Sequence, residues 1–328
     1  PKDNFNTVLY TGNQTARTIT VGMQPDFTWT KARSQAHSHI ITDVVTGVGK
    51  RLRPNVNNAQ DTSGASVASF VSTGYTLTDN DTINENSTTH VSWNWKAGGG
   101  QGSSNTDGSI NTTYTSANTT SGFSISKYAG NGSAGATIGH GLGAIPQVII
   151  VKNLSQAEHW IVYHHKSNAT PKDYYFRLNT DAAASDFEMW NDTAPTSSVF
   201  SLGTNDAVNH NGSNHVAYCF AEKKGFSKFG SYVGNGNANG TFVYTGFKPA
   251  FVMIKYAFSG GSGNWTIYDP LRDGYNDKND YLYANENNAE SGITHKIDLL
   301  SNGFKCRANS SDTNTSGGTM IYVAFAAE

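Results

Sequence analysis

A proline and a lysine six residues apart recur three times in this chain, as Pro25 and Lys31, Pro146 and Lys152, and Pro249 and Lys255. They sit in the similar segments Gln24-Pro25-Asp26-Phe27-Thr28-Trp29-Thr30-Lys31, Ile145-Pro146-Gln147-Val148-Ile149-Ile150-Val151-Lys152 and Lys248-Pro249-Ala250-Phe251-Val252-Met253-Ile254-Lys255. Self-similarity at a long period constrains a fold more than any local propensity, because each copy is one supersecondary unit. The chain therefore reads as three copies of a unit of roughly 100 residues.

Each copy opens with an aromatic strand and a glycine turn: Phe5 to Tyr10-Thr11-Gly12-Asn13, Phe123 to Tyr128-Ala129-Gly130-Asn131, and Phe226 to Tyr232-Val233-Gly234-Asn235. Gly beside Asn is the local signature of a tight turn with positive φ. The Pro-to-Lys strand follows, its proline placed where no ladder donor is needed. Period-two alternation puts Phe27, Trp29 and Lys31 on one face, as it does Val148, Ile150 and Lys152, and Phe251, Met253 and Lys255. A third strand comes next, at His39–Asp43, Trp160–His164 and Trp265–Asp269. A hairpin would bring Lys31 to Asp43 and Lys255 to Asp269 as strand-end ion pairs, with His164 replacing the acid in the second copy. The closing strands are Val91–Trp95, Val216–Phe220 and Val323–Ala327.

Alternation of period two and frequent turn residues predict an all-β chain of three tandem jelly-roll-like β-sandwich units. Their bounds read as 1–98, 121–223 and 224–328. Residues 99–120, rich in Gly, Ser, Thr and Asn, read as an extended linker that leaves the first unit freer than the other two. Composition agrees. Only 15% of residues are charged, and 12% are aromatic. That balance excludes a disordered chain and suits short strands joined by Asn- and Gly-rich turns. A net charge of −2 argues against a nucleic-acid partner. No apolar run approaches the ~18 residues of a membrane span. Cys219 and Cys306 do not occupy matching positions in their copies and read as free, half-buried thiols.

The Tyr-x-Gly-Asn turn, the Pro-x-x-aromatic-x-x-Lys strand and the closing Val91-Ser92-Trp93-Asn94-Trp95-Lys96-Ala97-Gly98 resemble a tandem repeat of unassigned function in virion proteins of marine tailed phages, including cyanophages. Phe5 to Asn13 is especially similar to it. The resemblance spans nearly the whole chain and is looser in the third unit. It implies a lectin-like sandwich in a structural, fibre or surface-decoration protein on the virion surface, and it carries no catalytic residues.

No phosphate loop, nucleophile elbow or paired zinc spacing occurs in the sequence, which argues against an enzyme. Gly139-His140-Gly141-Leu142-Gly143 precedes a strand and lacks the helix a phosphate site needs. His37 and His39 share a strand face, a candidate metal edge without a third ligand. Asp273, Asp277 and Asp280 lie in an oxygen-rich loop of the kind that can hold calcium, although the spacing is not that of the twelve-residue calcium loop. Asp79-Asn80-Asp81 is a weaker run of the same sort. Aromatics that could stack a sugar are Trp93, Trp160, Trp190 and Trp265, with Tyr174 and Tyr175, and of these Trp160 and Trp265, at corresponding positions in their copies, read as framework. Trp190, Tyr174 and Tyr175 fall in loops peculiar to the second unit, so they are the candidate ligand-binding residues. The expected function is a non-enzymatic, homo-oligomeric virion structural protein whose partners are other virion subunits and host-surface polysaccharide. A pure assembly or decoration protein without a ligand, and a cell-surface carbohydrate-binding adhesin, are the alternatives.

Overall fold

The computed structural model describes residues 2–62, 67–79, 81–257, 261–292 and 294–327, with Asp81 described in backbone alone. Asn80, part of the Asp79-Asn80-Asp81 run above, lies outside them. The chain is all-β, and the strands among the described residues form six sheets. The first stretch contains β1 (Phe5–Thr11), β2 (Arg17–Thr20), β3 (Phe27–Ala32), β4 (Ile40–Asp43), β5 (Val67–Val71), β6 (Gly74–Leu77) and β7 (Thr89–Trp95). The second contains β8 (Tyr114–Asn118), β9 (Phe123–Ala129), β10 (Ala136–Gly139), β11 (Val148–Asn153), β12 (Ile161–His164), β13 (Tyr174–Arg177), β14 (Ser185–Asp186), β15 (Val199–Leu202) and β16 (Asn214–Phe220). The third contains β17 (Ser227–Val233), β18 (Phe242–Tyr244), β19 (Phe251–Tyr256), β20 (Thr266–Tyr268), β21 (Leu282–Tyr283), β22 (Ile297–Leu300), β23 (Gly303–Cys306) and β24 (Thr319–Phe325). The helices α1 (Asp81–Asn84) and α2 (Asp206–Asn209) are single turns. No helix among the described residues is long and apolar enough to cross a membrane.

Three larger sheets share one strand order: β1-β7-β3-β4, β9-β16-β11-β12 and β17-β24-β19-β20. The second is extended by β8 at one edge and by β13 and β14 at the other, and the third by β21. Each larger sheet is covered by a smaller one: β2-β6-β5, β10-β15 or β18-β23-β22. Alternation explains the layering. In β3 the even residues Thr28 and Thr30 turn toward the small sheet, while Phe27 and Trp29 turn away from it into a second core. Three separate cores fill the spaces between paired sheets, around Tyr75, Phe200 and Phe304. A fourth is shared: Phe27, Trp93 and Trp95 meet Phe123, Val148, Tyr218 and Phe220, and both groups meet Phe251, Met253 and Phe325. The first sheet pair is thus packed as deeply into the common core as the others. Reading residues 99–120 as an extended linker also misses a strand, since they include β8, which pairs with β9 from Tyr114↔Lys127 to Asn118↔Phe123. Hydroxyl-bearing residues still make a good edge strand when every backbone group finds a partner.

Equivalent side chains join the three sheet pairs cyclically. Trp160 Nε1 donates to Arg53 O at 3.1 Å, Trp265 Nε1 donates to Arg177 O at 3.0 Å, and His39 Nε2 donates to Tyr283 O at 2.9 Å. These are the second pair bonding the first, the third bonding the second, and the first bonding the third, so the ring closes. A second set, counted from the equivalent residues Asp43, His164 and Asp269, runs in the opposite sense, from the first pair to the second, the second to the third and the third to the first. Tyr218 Oη donates to Asp43 Oδ2 at 2.8 Å, Trp93 Nε1 donates to Asp269 Oδ2 at 3.0 Å, and His164 Nε2 donates to Tyr322 O at 3.2 Å.

The expected Lys–Asp strand-end pairs do not form. In the β3–β4 register Phe27 faces Asp43 and Thr30 faces Ile40, so Asp43 stands at the opposite end of β3 from Lys31, about 13 Å along the strand. All three lysines are instead fully buried with their ammonium groups on backbone carbonyls. Lys31 reaches Ala32 O, Lys152 reaches Asn57 O and Glu158 O, and Lys255 reaches Asp181 O and Gly263 O. Burial lowers their pKa values, to about 7 for Lys31 and about 8 for the other two.

The junction at His164 should be acid-sensitive. Its Nδ1 accepts Lys166 N–H at 3.1 Å while Nε2–H donates to Tyr322 O, which leaves no site for a second proton. Burial first, then the neighbouring His165 and Lys166, lower its pKa from 6.5 to about 3. An unfolded chain takes up that proton near pH 6.5 and the folded chain does not. Stability is therefore present above about 6.5 and is lost as pH falls toward 3. His90 and His215, each stacked on a tyrosine and lowered to about 4 chiefly by burial, add to the same slope. We expect denaturant midpoints to fall steadily from pH 6.5 to 4. The His164→Asn variant should show a slope shallower by up to about 1.4 kcal/mol per pH unit. An unchanged slope would assign the acid response elsewhere.

Candidate functional site

A concavity lies on the second sheet pair, beside β12 and β13. There, a cleft of about 250 Å³ has a floor of Ile161, Tyr175 and Met189. Phe187 forms its wall with half of its surface exposed, and Glu158, His159, Arg177 and Asn205 stand around it. β13 supplies Tyr175 and Arg177 from one face, two residues apart. Arg177 lies over the Tyr175 ring at 5.8 Å and donates to its hydroxyl at 3.2 Å, which fixes both groups. His159 Nδ1 accepts from Asn179 Nδ2 at 2.9 Å. Partial burial, then the Arg177 guanidinium, hold the imidazole below its ordinary pKa and thus neutral at pH 7. The cleft therefore offers a carboxylate, a guanidinium, a neutral imidazole and an amide around aromatic surface. Such a set is suited to a polar, uncharged ligand that offers paired hydrogen bonds and a ring contact.

Of the three residues singled out in the sequence, Tyr175 reaches this cleft. Trp190 lies next to it but faces inward. It is 2% exposed, with its ring edge-on to Tyr163 and Phe200 and its Nε1–H donated to Tyr174 O at 3.1 Å. Neither ring face is open for stacking a sugar. Trp190 instead ties the 187–190 segment to β13, and so positions Phe187 and Met189. Tyr174 is half-buried on the opposite face of β13 from the cleft floor. Sequence reasoning missed Phe187, Met189, Arg177, Glu158, His159 and Asn205. The step of two from Phe187 to Met189 was the available signal for the first two.

The other candidates are occupied otherwise. His37 pairs with Glu85 at 2.8 Å, and His39 Nδ1 accepts Trp29 Nε1–H at 2.8 Å, so the two histidines do not form a metal edge. In the acidic loop, Asp273 accepts Tyr275 N–H and Asn279 N–H, and Asp277 pairs with Lys296 at 3.3 Å. Asp280 carries a pKa raised by burial first, then by Glu290 and Asp273. Lys278, whose ammonium bonds Asp273 O, holds the loop together. No group of three or more His, Cys, Asp or Glu side chains suited to a metal occurs among the described residues. Cys219 and Cys306 are free and fully buried, and burial raises both thiols.

One further repeated feature is structural. Asn84, Asn209 and Asn314 each stand seven residues before Val91, Val216 and Ile321, and all are fully buried. Their Oδ1 atoms accept the N–H groups of Asn13, Asn131 and Asn235 in the glycine turns. Their Nδ2 groups donate to two carbonyls each. Tyr10, Tyr128 and Tyr232 bond the carbonyl of the residue just before each asparagine. The turn glycines serve this close approach. A Cβ at Gly12, Gly130 or Gly234 would overlap backbone atoms of the strap that follows the asparagine. Positive φ falls two residues later, at Gln14, Gly132 and Gly236.

No curated protein and no solved structure matches the chain. A family model matches residues 1–328, and the chain belongs to that family, which is described as Domain of unknown function (DUF7483).

Proposed function

We propose that this chain is a non-enzymatic structural protein of a phage virion. Its three tandem jelly-roll-like β-sandwich modules would form one closed ring, and the second module would bind a host-surface glycan in the Tyr175–Phe187 cleft. The resemblance of the repeat to virion proteins supports the first half of that reading. The observation that carries the second is the pairing of an exposed aromatic wall, Phe187, with Arg177 and Glu158 across a cleft held from behind by Trp190. Sugars present apolar C–H faces and vicinal hydroxyls, and such a site offers each a partner. The Arg177–Tyr175 and Trp190–Tyr174 bonds fix the groups that line the cleft, which lowers the ordering that opposes binding.

The test is a glycan array probed with the full chain. Binding to at least one surface polysaccharide is expected. It should weaken about tenfold in Phe187→Ala, and it should be lost in Arg177→Ala, with melting temperatures unchanged. Binding that survives both substitutions would move the site elsewhere. Absence of binding to every glycan, with firm attachment to capsid or tail subunits, would favour the assembly reading.

A further inference from the structure

The junction between the second and third sheet pairs holds a cleft of about 680 Å³. The second pair contributes Gln147, His165 and Lys166, the third contributes Lys228, Ser231 and Tyr322, and Glu222 comes from the segment between them. The charges are peculiar to this junction. Positions equivalent to Lys166 hold Val45 and Leu271, and those equivalent to Glu222 hold Ala97 and Ala327. Glu222 pairs with Lys228 at 2.7 Å and accepts Phe229 N–H at 3.3 Å. His165 donates Nε2–H to Phe229 O at 2.9 Å, and burial first lowers its pKa, so the ring stands neutral at pH 7. Two lysines against one glutamate leave the cleft with one net positive charge. Tyr322 reaches it through a local exception. On the paired strands Tyr322 faces Gly230, where the first copy pairs Ser92 with Val8 and the second pairs Ala217 with Ser126. The missing Cβ lets the phenol lie across β17, since a Cβ at Gly230 would fall 2.7 Å from Tyr322 Oη. Tyr322 is 4% exposed, yet its hydroxyl has no hydrogen-bond partner among the described residues. The same holds for Lys166 Nζ, Gln147 Nε2 and Ser231 Oγ. Four donors thus line one cleft with no acceptor from the chain, and a buried hydroxyl is seldom left so without a ligand or water to meet it.

We propose that this cleft binds an acidic saccharide unit of the uronic-acid class, a hydroxylated ring that carries one carboxylate. A single negative charge matches the net charge of the site, and Lys166 is its partner. A dianion such as phosphate would keep an uncompensated charge beside Glu222. The volume is far larger than a bare ion fills and lies in the range of small-molecule sites. Ring hydroxyls donate as well as accept. They can take the Tyr322, Ser231 and Gln147 donors and give to the remaining lone pairs of Glu222. The cleft shares no residue with the one on β13, and the inference stands whether or not that one binds a glycan.

The experiment titrates the full chain calorimetrically with glucuronate, glucose and acetate. Glucuronate should bind saturably, and about tenfold more tightly than glucose or acetate, each of which lacks half of the recognised group. Lys166→Gln should weaken it about tenfold and Tyr322→Phe about fivefold, as for losing a charge-assisted and a neutral hydrogen bond. Lys166 is exposed, and phenylalanine keeps the packing of the Tyr322 ring, so melting temperatures should hold. Arg177→Ala should leave glucuronate binding unchanged, which separates this cleft from the one on β13. Four outcomes would overturn the proposal. One is no saturable binding well into the millimolar range. Another is acetate or glucose binding as tightly as glucuronate, which would mean that the charge or the ring plays no part. The third is unchanged affinity in a folded Lys166→Gln or Tyr322→Phe variant. The last is loss of binding in Arg177→Ala, which would place the sugar acid in the other cleft.

Discussion

Replacing Asn209 with alanine should destabilise the chain by about 3 kcal/mol, more than most single changes to its surface or loops. The Asn209 side chain makes four hydrogen bonds. Oδ1 accepts Asn131 N–H and Gly132 N–H, and Nδ2 donates to Ser133 O and Gly203 O. Alanine would leave Asn131 N–H and Gly203 O without partners around a residue with no exposed surface, whereas Gly132 N–H keeps the backbone carbonyl of residue 209 and Ser133 O keeps Ala136 N–H. Each such group costs about 1–3 kcal/mol when unsatisfied, and partial relaxation toward water lowers the sum. Asn209→Asp is the sharper variant. It keeps the shape and both acceptor bonds, yet it sets a carboxylate oxygen against two carbonyls. It should lose nearly as much at pH 7 and recover when acid protonates the carboxyl. Thermal unfolding at pH 7 and pH 5 measures both effects. A loss below about 1 kcal/mol in the alanine variant would mean that water replaces the amide.

How much of this could be read from the sequence depends on the distance over which each feature is specified. Alternation along β3, β11 and β19 is local, and so the strands, their buried faces and the all-β class follow from it. The lysines repeat visibly, but their partners are carbonyls supplied by loops such as Asn57 and Asp181, and carbonyls carry no sequence signal. Register defeats the Lys31–Asp43 pairing: both residues lie on a hairpin, and the pairing of Phe27 with Asp43 sends them to opposite ends. Trp190 sits in a segment that reads as a variable loop. That loop folds under the small sheet because an indole loses more by exposure than the backbone loses by the detour. The asparagine straps were visible as a fixed offset before the closing strand. They escape notice in a chain where Asn is common at turns for other reasons.

The closed ring explains why positions repeat while residue types do not. Asp43, His164 and Asp269 occupy one equivalent site and share one geometric task, which is to hold the next sheet pair by a hydrogen bond across the junction. Each also accepts the N–H of a residue two positions on: Val45, Lys166 or Leu271. Carboxylate and imidazole can both do this. The partner strand adapts in turn, presenting Tyr218 or Trp93 where it meets a carboxylate and the backbone carbonyl of Tyr322 where it meets His164.

Among the three junctions, Asp269 should be the most costly to lose, because it alone also neutralises a buried cation. Arg272 Nε donates to Asp269 Oδ2 at 2.6 Å with both side chains fully buried, and Arg272 reaches Glu290 at 2.9 Å. Asp269→Ala would strand the Trp93 indole N–H, two backbone donors and half of the guanidinium's neutralisation. Removing one partner of a buried pair costs about 3–5 kcal/mol, and that loss is expected here. Asp43→Ala should cost less, since Tyr218 and Thr46 are neutral. The double variant Asp269→Ala with Arg272→Met separates the charge from the hydrogen bonds. If the stranded cation dominates, the double variant will be more stable than Asp269→Ala alone by ~1–3 kcal/mol, a coupling of the size expected for residues in contact. If the junction bond to Trp93 dominates, the double variant will be no more stable, and the ring, not the ion pair, will be what Asp269 maintains.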